Sequence, residues 1–158
     1  MNIDGINALS RKAFVDALGW VFEHSPWVAE RAWERRPFES LEALHRAMVD
    51  EVERATPEEQ LALLCAHPDL GARQNMTAAS AREQSAAGLD GQSPDAELNR
   101  LNTQYREKFG HPFLFAVKGA SRSEIIHALQ QRLSSAPEKE FREALRQVAR
   151  IAWIRIAG

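Results

Sequence analysis

Four groups of residues in this chain have the types and spacing to do chemistry. They are His67-Pro68-Asp69, Ser80-x-x-Glu83-Gln84, the apolar run Phe113-Leu114-Phe115-Ala116-Val117, and Arg155 near the end. His67 precedes a proline, which biases it out of the helical region and predicts it as the last residue of a helix. A helix C-terminus favours an imidazolium, and a protonated histidine suits general acid work. Residue type alone favours a plainer role, in which the ring bonds free carbonyls at the helix end. Asp69 is placed to cap the next turn or to hold the imidazole.

Ser80 and Glu83 have the spacing of a capping box, so Ser80 can bond the N–H of Glu83 while Glu83 reaches back. The rival arrangement clusters Ser80, Glu83 and Gln84 at a first helical turn, where free N–H groups face a bound anion. A Glu83 carboxylate near a protonated His67 would stabilise that charge and fix the ring. Arg155 lies seven residues after Val148 and fourteen after Phe141, in the phase of an apolar face where an unpaired guanidinium is costly. It either snorkels past the helix end or pairs with a carboxylate, which a substrate can supply to its planar fork. Phe113 to Val117 offers apolar walls and backbone polar groups that no helix consumes. Such a segment is either a core plug or a means of holding a flat, purine-like ring edge-on.

These residues need a scaffold, and helical periodicity supplies one. A first helix follows Ser10 with Phe14, Val15, Leu18, Val21 and Phe22 on one stripe, and a second starts with Ser25 as N-cap and Pro26 at its first position. A third follows Ser40, and a fourth opens on Thr56-Pro57-Glu58-Glu59 and stops at Pro68. After an irregular stretch from Asp69 to Met76, a fifth helix starts at Thr77 or Ser80 and stops at Gly88, and a sixth starts at Ser93-Pro94 and runs to Gly110. His111 to Val117 reads as an extended, buried segment bounded by breakers. Helices after Ser121 and Pro137 complete the chain, the last with Phe141, Leu145, Val148, Ala152 and Ile156 inward and Arg142, Arg146 and Arg150 as a solvated stripe. The expectation is an all-α single domain, 1–158, of about eight helices with one extended apolar segment near 111–117.

Composition agrees with a folded domain: 158 residues, 44% hydrophobic and 27% charged, which excludes an intrinsically disordered chain. Lys and Arg number 20 against 22 Asp and Glu, so no global charge draws the chain to nucleic acid or an anionic membrane. The single Cys65 excludes an internal disulfide, and His24, His45, His111 and His127 have no partners at metal-ligand spacing, so no metal is expected. Trp20, Trp27, Trp33 and Trp153 read as core. No signal peptide or membrane span is apparent, and a soluble, cytoplasmic protein is expected, with self-association into a homodimer left open.

Five motifs occur in order along the chain: Arg36-Pro37-Phe38, His67-Pro68-Asp69-Leu70, Ser80-x-x-Glu83-Gln84, Leu101-Asn102-x-x-Tyr105 and Phe109-Gly110-His111-Pro112-Phe113. Together they resemble the 2-oxo-4-hydroxy-4-carboxy-5-ureidoimidazoline (OHCU) decarboxylase family of uric acid breakdown. The resemblance implies an all-helical, cofactor-free carboxy-lyase that releases CO2 from a small-molecule substrate to give (S)-allantoin. It also implies that His67 is the catalytic histidine and Glu83 its acidic partner. Pro68, Ser80, Gln84, Phe113, Leu114, Phe115, Ala116, Val117 and Arg155 then match substrate-contacting positions. The C-terminal Ile156-Ala157-Gly158 lacks the peroxisomal tripeptide of some animal members, and the segment around Asp90-Gly91-Gln92 is shorter than the family pattern suggests. Two other classes fit parts of the pattern: a ureide hydrolase with the same pocket, which needs an activated water or a metal, and a non-catalytic helical adaptor with an exposed Trp and Arg face.

Overall fold

The computed structural model describes residues 1–71, 77–89 and 95–158. Among these, nine α-helices and one 3-10 turn occur and no strand, in agreement with the all-α expectation. The helix beyond the expected eight is α1 (Ile3–Asn7), five residues whose N-terminal N–H groups are bonded by the side chain of Asn2. It has too few residues to show an apolar period.

The chain divides into two compact units, Met1–Ala66 with Ala149–Gly158, and His67–Val148. The first contains α1, α2 (Arg11–Leu18), the 3-10 turn Gly19–Val21, α3 (Trp27–Trp33), α4 (Leu41–Arg54) and α5 (Pro57–Cys65). Ser10, Ser40 and Thr56 cap α2, α4 and α5 through their hydroxyls, and Thr56 with Glu59 forms a full capping box. Ser25 does not cap α3; Pro26 stands at the N-cap with no side-chain bond, and Ser25 instead donates its hydroxyl to the Glu23 carbonyl. Phe14, Leu18, Val28, Leu44 and Met48 are all essentially inaccessible and form the core of this unit. The Arg36-Pro37-Phe38 motif is a pin within it. The Asn7 side chain bonds both the N–H and the carbonyl of Phe38, and Arg36 donates to the carbonyls of Trp33 and Asn7.

The tryptophans are not core residues. Trp20 is exposed, and Trp27 and Trp33 are half-buried with Arg31 and Arg36 guanidinium groups 4.5 and 4.0 Å over their rings. A cation on the aromatic face lets a large ring stay near solvent.

The second unit holds α6 (Ala78–Ala86), α7 (Ala96–Phe109), α8 (Arg122–Arg132) and the first part of α9 (Pro137–Ala157), whose last residues belong to the first unit. Asp95 caps α7, while the Ser93-Pro94 start and the loop around Asp90-Gly91-Gln92 lie outside the described residues, as does 72–76 of the irregular stretch. Leu98, Leu101 and Tyr105 of α7 meet Ile125 and Leu129 of α8 and Phe113 in one apolar cluster. The α7 helix ends on Gly110 at φ +80°, where a left-handed residue closes the helix and turns the chain into the extended segment. Residues 112–117 are non-helical and, apart from half-buried Phe115, buried, as the sequence predicts.

Candidate active site

His67 is 6% exposed but does not end a helix: α5 stops at Cys65, Ala66 is its C-cap, and His67 opens the loop beyond. Three polar bonds hold this loop. Gln84 Oε1 accepts from the Gly71 N–H at 2.6 Å, Asn102 Nδ2 donates to the Leu70 carbonyl at 2.9 Å, and Arg106 pairs with Asp69 at 3.0 Å. Asp69 is therefore engaged by an arginine of α7. Gly71 has φ +83°, a left-handed conformation that favours glycine, and a Cβ there would also crowd Leu98 Cδ2 at 3.0 Å. Residues 69–71 are thus held by side chains of α6 and α7.

The capping-box reading of Ser80 and Glu83 fails. Thr77 is the N-cap of α6, and its hydroxyl accepts from the Ser80 N–H at 3.2 Å, so Ser80 sits inside the first turn. The inward side of α6 is Ala79, Ser80 and Gln84, with Glu83 half-buried beside them. A nine-residue helix that buries a serine and a glutamine gains little apolar contact, and its polar groups must find partners. Pro68 is half-buried.

The 113–117 segment is clamped by α8 and α9. Arg132 donates to the Leu114 carbonyl, lies 4.5 Å over the Phe113 ring and pairs with Glu140. Its Nε makes the well-directed bond to Glu140 Oε1, whereas Nη2 is within ion-pair range of the same oxygen without hydrogen-bond geometry. Glu140 also accepts from the Tyr105 hydroxyl, and burial first, then this bond, pushes the Tyr105 phenol well above its usual range. Gln147 Oε1 accepts from the Ala116 N–H at 3.0 Å. Beside them His111 donates Nδ1–H to the Pro112 carbonyl, and burial lowers its affinity for a second proton.

Arg155 lies in the first unit and is 6% exposed, so it does not snorkel. Its Nη2 is 3.2 Å from Glu23, and Nη1 donates to the carbonyls of Trp20 and Val21. The pairing alternative of the sequence reading holds, with a carboxylate from the chain itself.

Sequence reasoning missed Glu23, Asn102, Arg132, Glu140 and Gln147. The helical phase that exposed Arg155 also carries Glu140 and Gln147, since both lie with Ala144 and Val148 on the buried face of α9. Asn102 was visible only as a motif letter. Among the described residues no three His, Cys, Asp or Glu side chains gather into a metal-binding group, and no helix is long and apolar enough to cross a membrane.

Comparison with known proteins agrees with this arrangement of motifs. A 2-oxo-4-hydroxy-4-carboxy-5-ureidoimidazoline decarboxylase of Haloferax volcanii is 47% identical over 159 aligned residues, covering 99% of this chain and 95% of that protein. A crystal structure of (S)-allantoin synthase superposes with a TM-score of 0.79 at 32% identity, over 99% of this chain and 53% of that one. A crystal structure of an OHCU decarboxylase in the presence of (S)-allantoin gives 0.68 at 26% identity, over 83% of this chain and 88% of that one. The OHCU decarboxylase family model matches residues 7–157, and a chain matched over that length, with a relative this similar along nearly its whole extent, belongs to the OHCU decarboxylase family.

Proposed function

We propose that His67, supported by Glu83, moves the proton in the decarboxylation of 2-oxo-4-hydroxy-4-carboxy-5-ureidoimidazoline to (S)-allantoin. Decarboxylation in uric acid degradation is the reaction that family membership gives this chain. The C–C bond to the carboxylate breaks, CO2 leaves, and the electron pair left behind is taken up by the adjacent C=N system of the ring. A proton delivered to one face then sets the chirality of the product. The protein must orient the carboxylate, hold the ring and present an acid on one side only.

The observation that best supports this assignment is the polar inward side of α6. Ser80 and Gln84 are each 5% exposed, and Gln84 is tied to the loop that His67 opens. In this reading Pro68, Ser80 and Gln84 bind the substrate and the Phe113 to Val117 backbone fixes its ring, while Arg155 keeps the substrate-contacting role that the family resemblance implies. No metal or organic cofactor is required, because the ring itself accepts the electrons. Residues 1–158 act as one functional domain, the enzyme works in the cytoplasm, and sedimentation velocity tests whether it self-associates into a homodimer.

The test uses metal-stripped protein and freshly generated substrate, following CO2 release and allantoin chirality. His67→Ala, and more mildly His67→Asn, abolishes stereoselective formation of (S)-allantoin while the fold persists, a loss of about 10²-fold or more. Near-normal turnover in His67→Ala removes this residue from the mechanism. Loss of wild-type activity on metal removal, restored by zinc, contradicts the cofactor-free reading.

A further inference from the structure

The extended segment is held on one edge and open on the other. Leu114 offers its carbonyl to Arg132, and Ala116 gives its N–H to Gln147, so two residues spaced by two turn their backbone groups toward α8 and α9. The Phe113 and Phe115 rings stack with centroids 5.8 Å apart and 14° between planes, the same two-residue alternation on the side-chain faces. Extended geometry then aims the backbone groups of Phe115 and Val117 at the opposite edge. Among the described residues, neither the Phe115 nor the Val117 N–H donates to a protein acceptor, whereas the Val117 carbonyl is used by the Ala120 N–H. Val117 is buried and Phe115 half-buried, and a buried N–H is rarely left without an acceptor, so this donor pair is free to meet acceptor atoms from outside the chain.

We infer that Arg132 and Gln147 are positioning residues for the decarboxylation, fixing the 113–117 segment so that the Phe115 and Val117 N–H groups meet carbonyl oxygens of the ureidoimidazoline substrate. The inference rests on the function proposed above. Arg132 is itself set by Glu140, and Gln147 Nε2 donates to Glu143 at 3.1 Å, so each clamp has a second support. The groups line a cavity of about 310 Å³ that also includes Phe115 and Lys139. Without Gln147, Ala116 must seek water and the segment can rotate its donors away from the substrate. Such a contact, equal in ground and transition states, is felt in KM rather than kcat.

Steady-state kinetics and amide hydrogen exchange by NMR test this on the full chain. Gln147→Met raises KM about tenfold with kcat within about twofold, and Ala116 amide exchange quickens at least tenfold while Leu101 and Ile125 stay protected. Arg132→Lys raises KM similarly, since an ammonium cannot hold the carbonyl and the carboxylate through one planar group. The double variant Gln147→Glu, Glu143→Gln swaps the donor and acceptor between the two side chains, keeps an acceptor for Ala116, and restores KM. Faster Ala116 exchange with unchanged KM in both single variants overturns the inference, as does unchanged exchange in Gln147→Met. If Gln147→Met loses core protection, the double variant decides: a restored fold with KM still raised overturns it. Absent turnover in wild-type protein instead defeats the proposed function, and Ala116 exchange still reports whether the clamp exists.

Discussion

Each unit of this protein buries an arginine–glutamate pair, and the two pairs differ in what surrounds them. Arg155 and Glu23 have side chains 2% and 0% exposed, whereas Arg132 and Glu140 are 13% and 1% exposed at the wall of a cavity. Both arginines end on main-chain carbonyls that helices leave unused, those of Trp20 and Val21 for Arg155 and that of Leu114 for Arg132. Taking two charges out of water is expensive, and mutual attraction repays it only when the remaining donors are also satisfied. The pairs therefore anchor backbone outside the α-helices, in a fold whose other backbone groups are mostly spent within them. In the closed pair, loss of either partner strands a charge that is almost wholly out of solvent. In the pair beside the cavity, water can enter and a loss is felt first by the segment that the pair holds.

The largest effect should come from breaking the closed pair. Glu23→Ala leaves the Arg155 guanidinium buried and is expected to cost roughly 3–5 kcal/mol in urea denaturation. Glu140→Ala should cost less, about 1–3 kcal/mol, because Arg132 can hydrate from the cavity. Equal losses would erase the distinction between the two pairs.

Arg155→Lys keeps the charge but cannot serve Glu23 and two carbonyls from one planar group, so a loss of roughly 1.5–3 kcal/mol is expected. With the proposed role in substrate binding, KM per folded molecule also rises. A lowered Tm at wild-type KM would confine Arg155 to its ion pair and leave the substrate anchor to Ser80, Gln84 or the α6 backbone.

The smallest effect distinguishes the second pair by pH. His111 lies 5.6 Å from the Tyr105 ring, and burial depresses its folded pKa below the ordinary value of 6.5. Between the depressed value and 6.5 the unfolded chain binds more protons, so stability is lost as pH falls below about 6.5. His111→Phe keeps an aromatic ring beside Tyr105, Phe109 and Phe141 and should flatten Tm between pH 5 and 7 relative to wild type. An unchanged slope would assign the acid sensitivity to other groups.

Much of this was legible from local signals. The helix starts at Thr56 and Ser121, the Gly110 stop and the break around 111–117 each depend on a few neighbouring residues, and each stands where the sequence puts it. Reading failed where two local rules competed. Thr77 and Ser80 both suit an N-cap, and nothing within the segment says which one takes it. Similarly, Pro68 predicts a helix running up to it, whereas α5 closes at Cys65, because the restriction proline imposes marks a limit rather than the last turn. The tryptophans were misassigned because hydrophobicity ranks a side chain without revealing that an arginine will cover its face.

The all-helical class, most helix starts, the buried extended segment and the in-phase position of Arg155 were determined by sequence alone, since each follows from periodicity or from a cap within a few residues. Only tertiary structure decided the partners of the buried polar groups. Gln84 meets Gly71 across 13 positions, Asn102 meets Leu70 across 32, Gln147 meets Ala116 across 31, and the Arg155 guanidinium bonds the Trp20 carbonyl across 135. A polar residue in an apolar phase announces that it needs a partner, but any carboxylate, carbonyl or ligand of suitable geometry can be that partner. Which one it finds depends on how helices distant in sequence pack, and no local pattern encodes that choice.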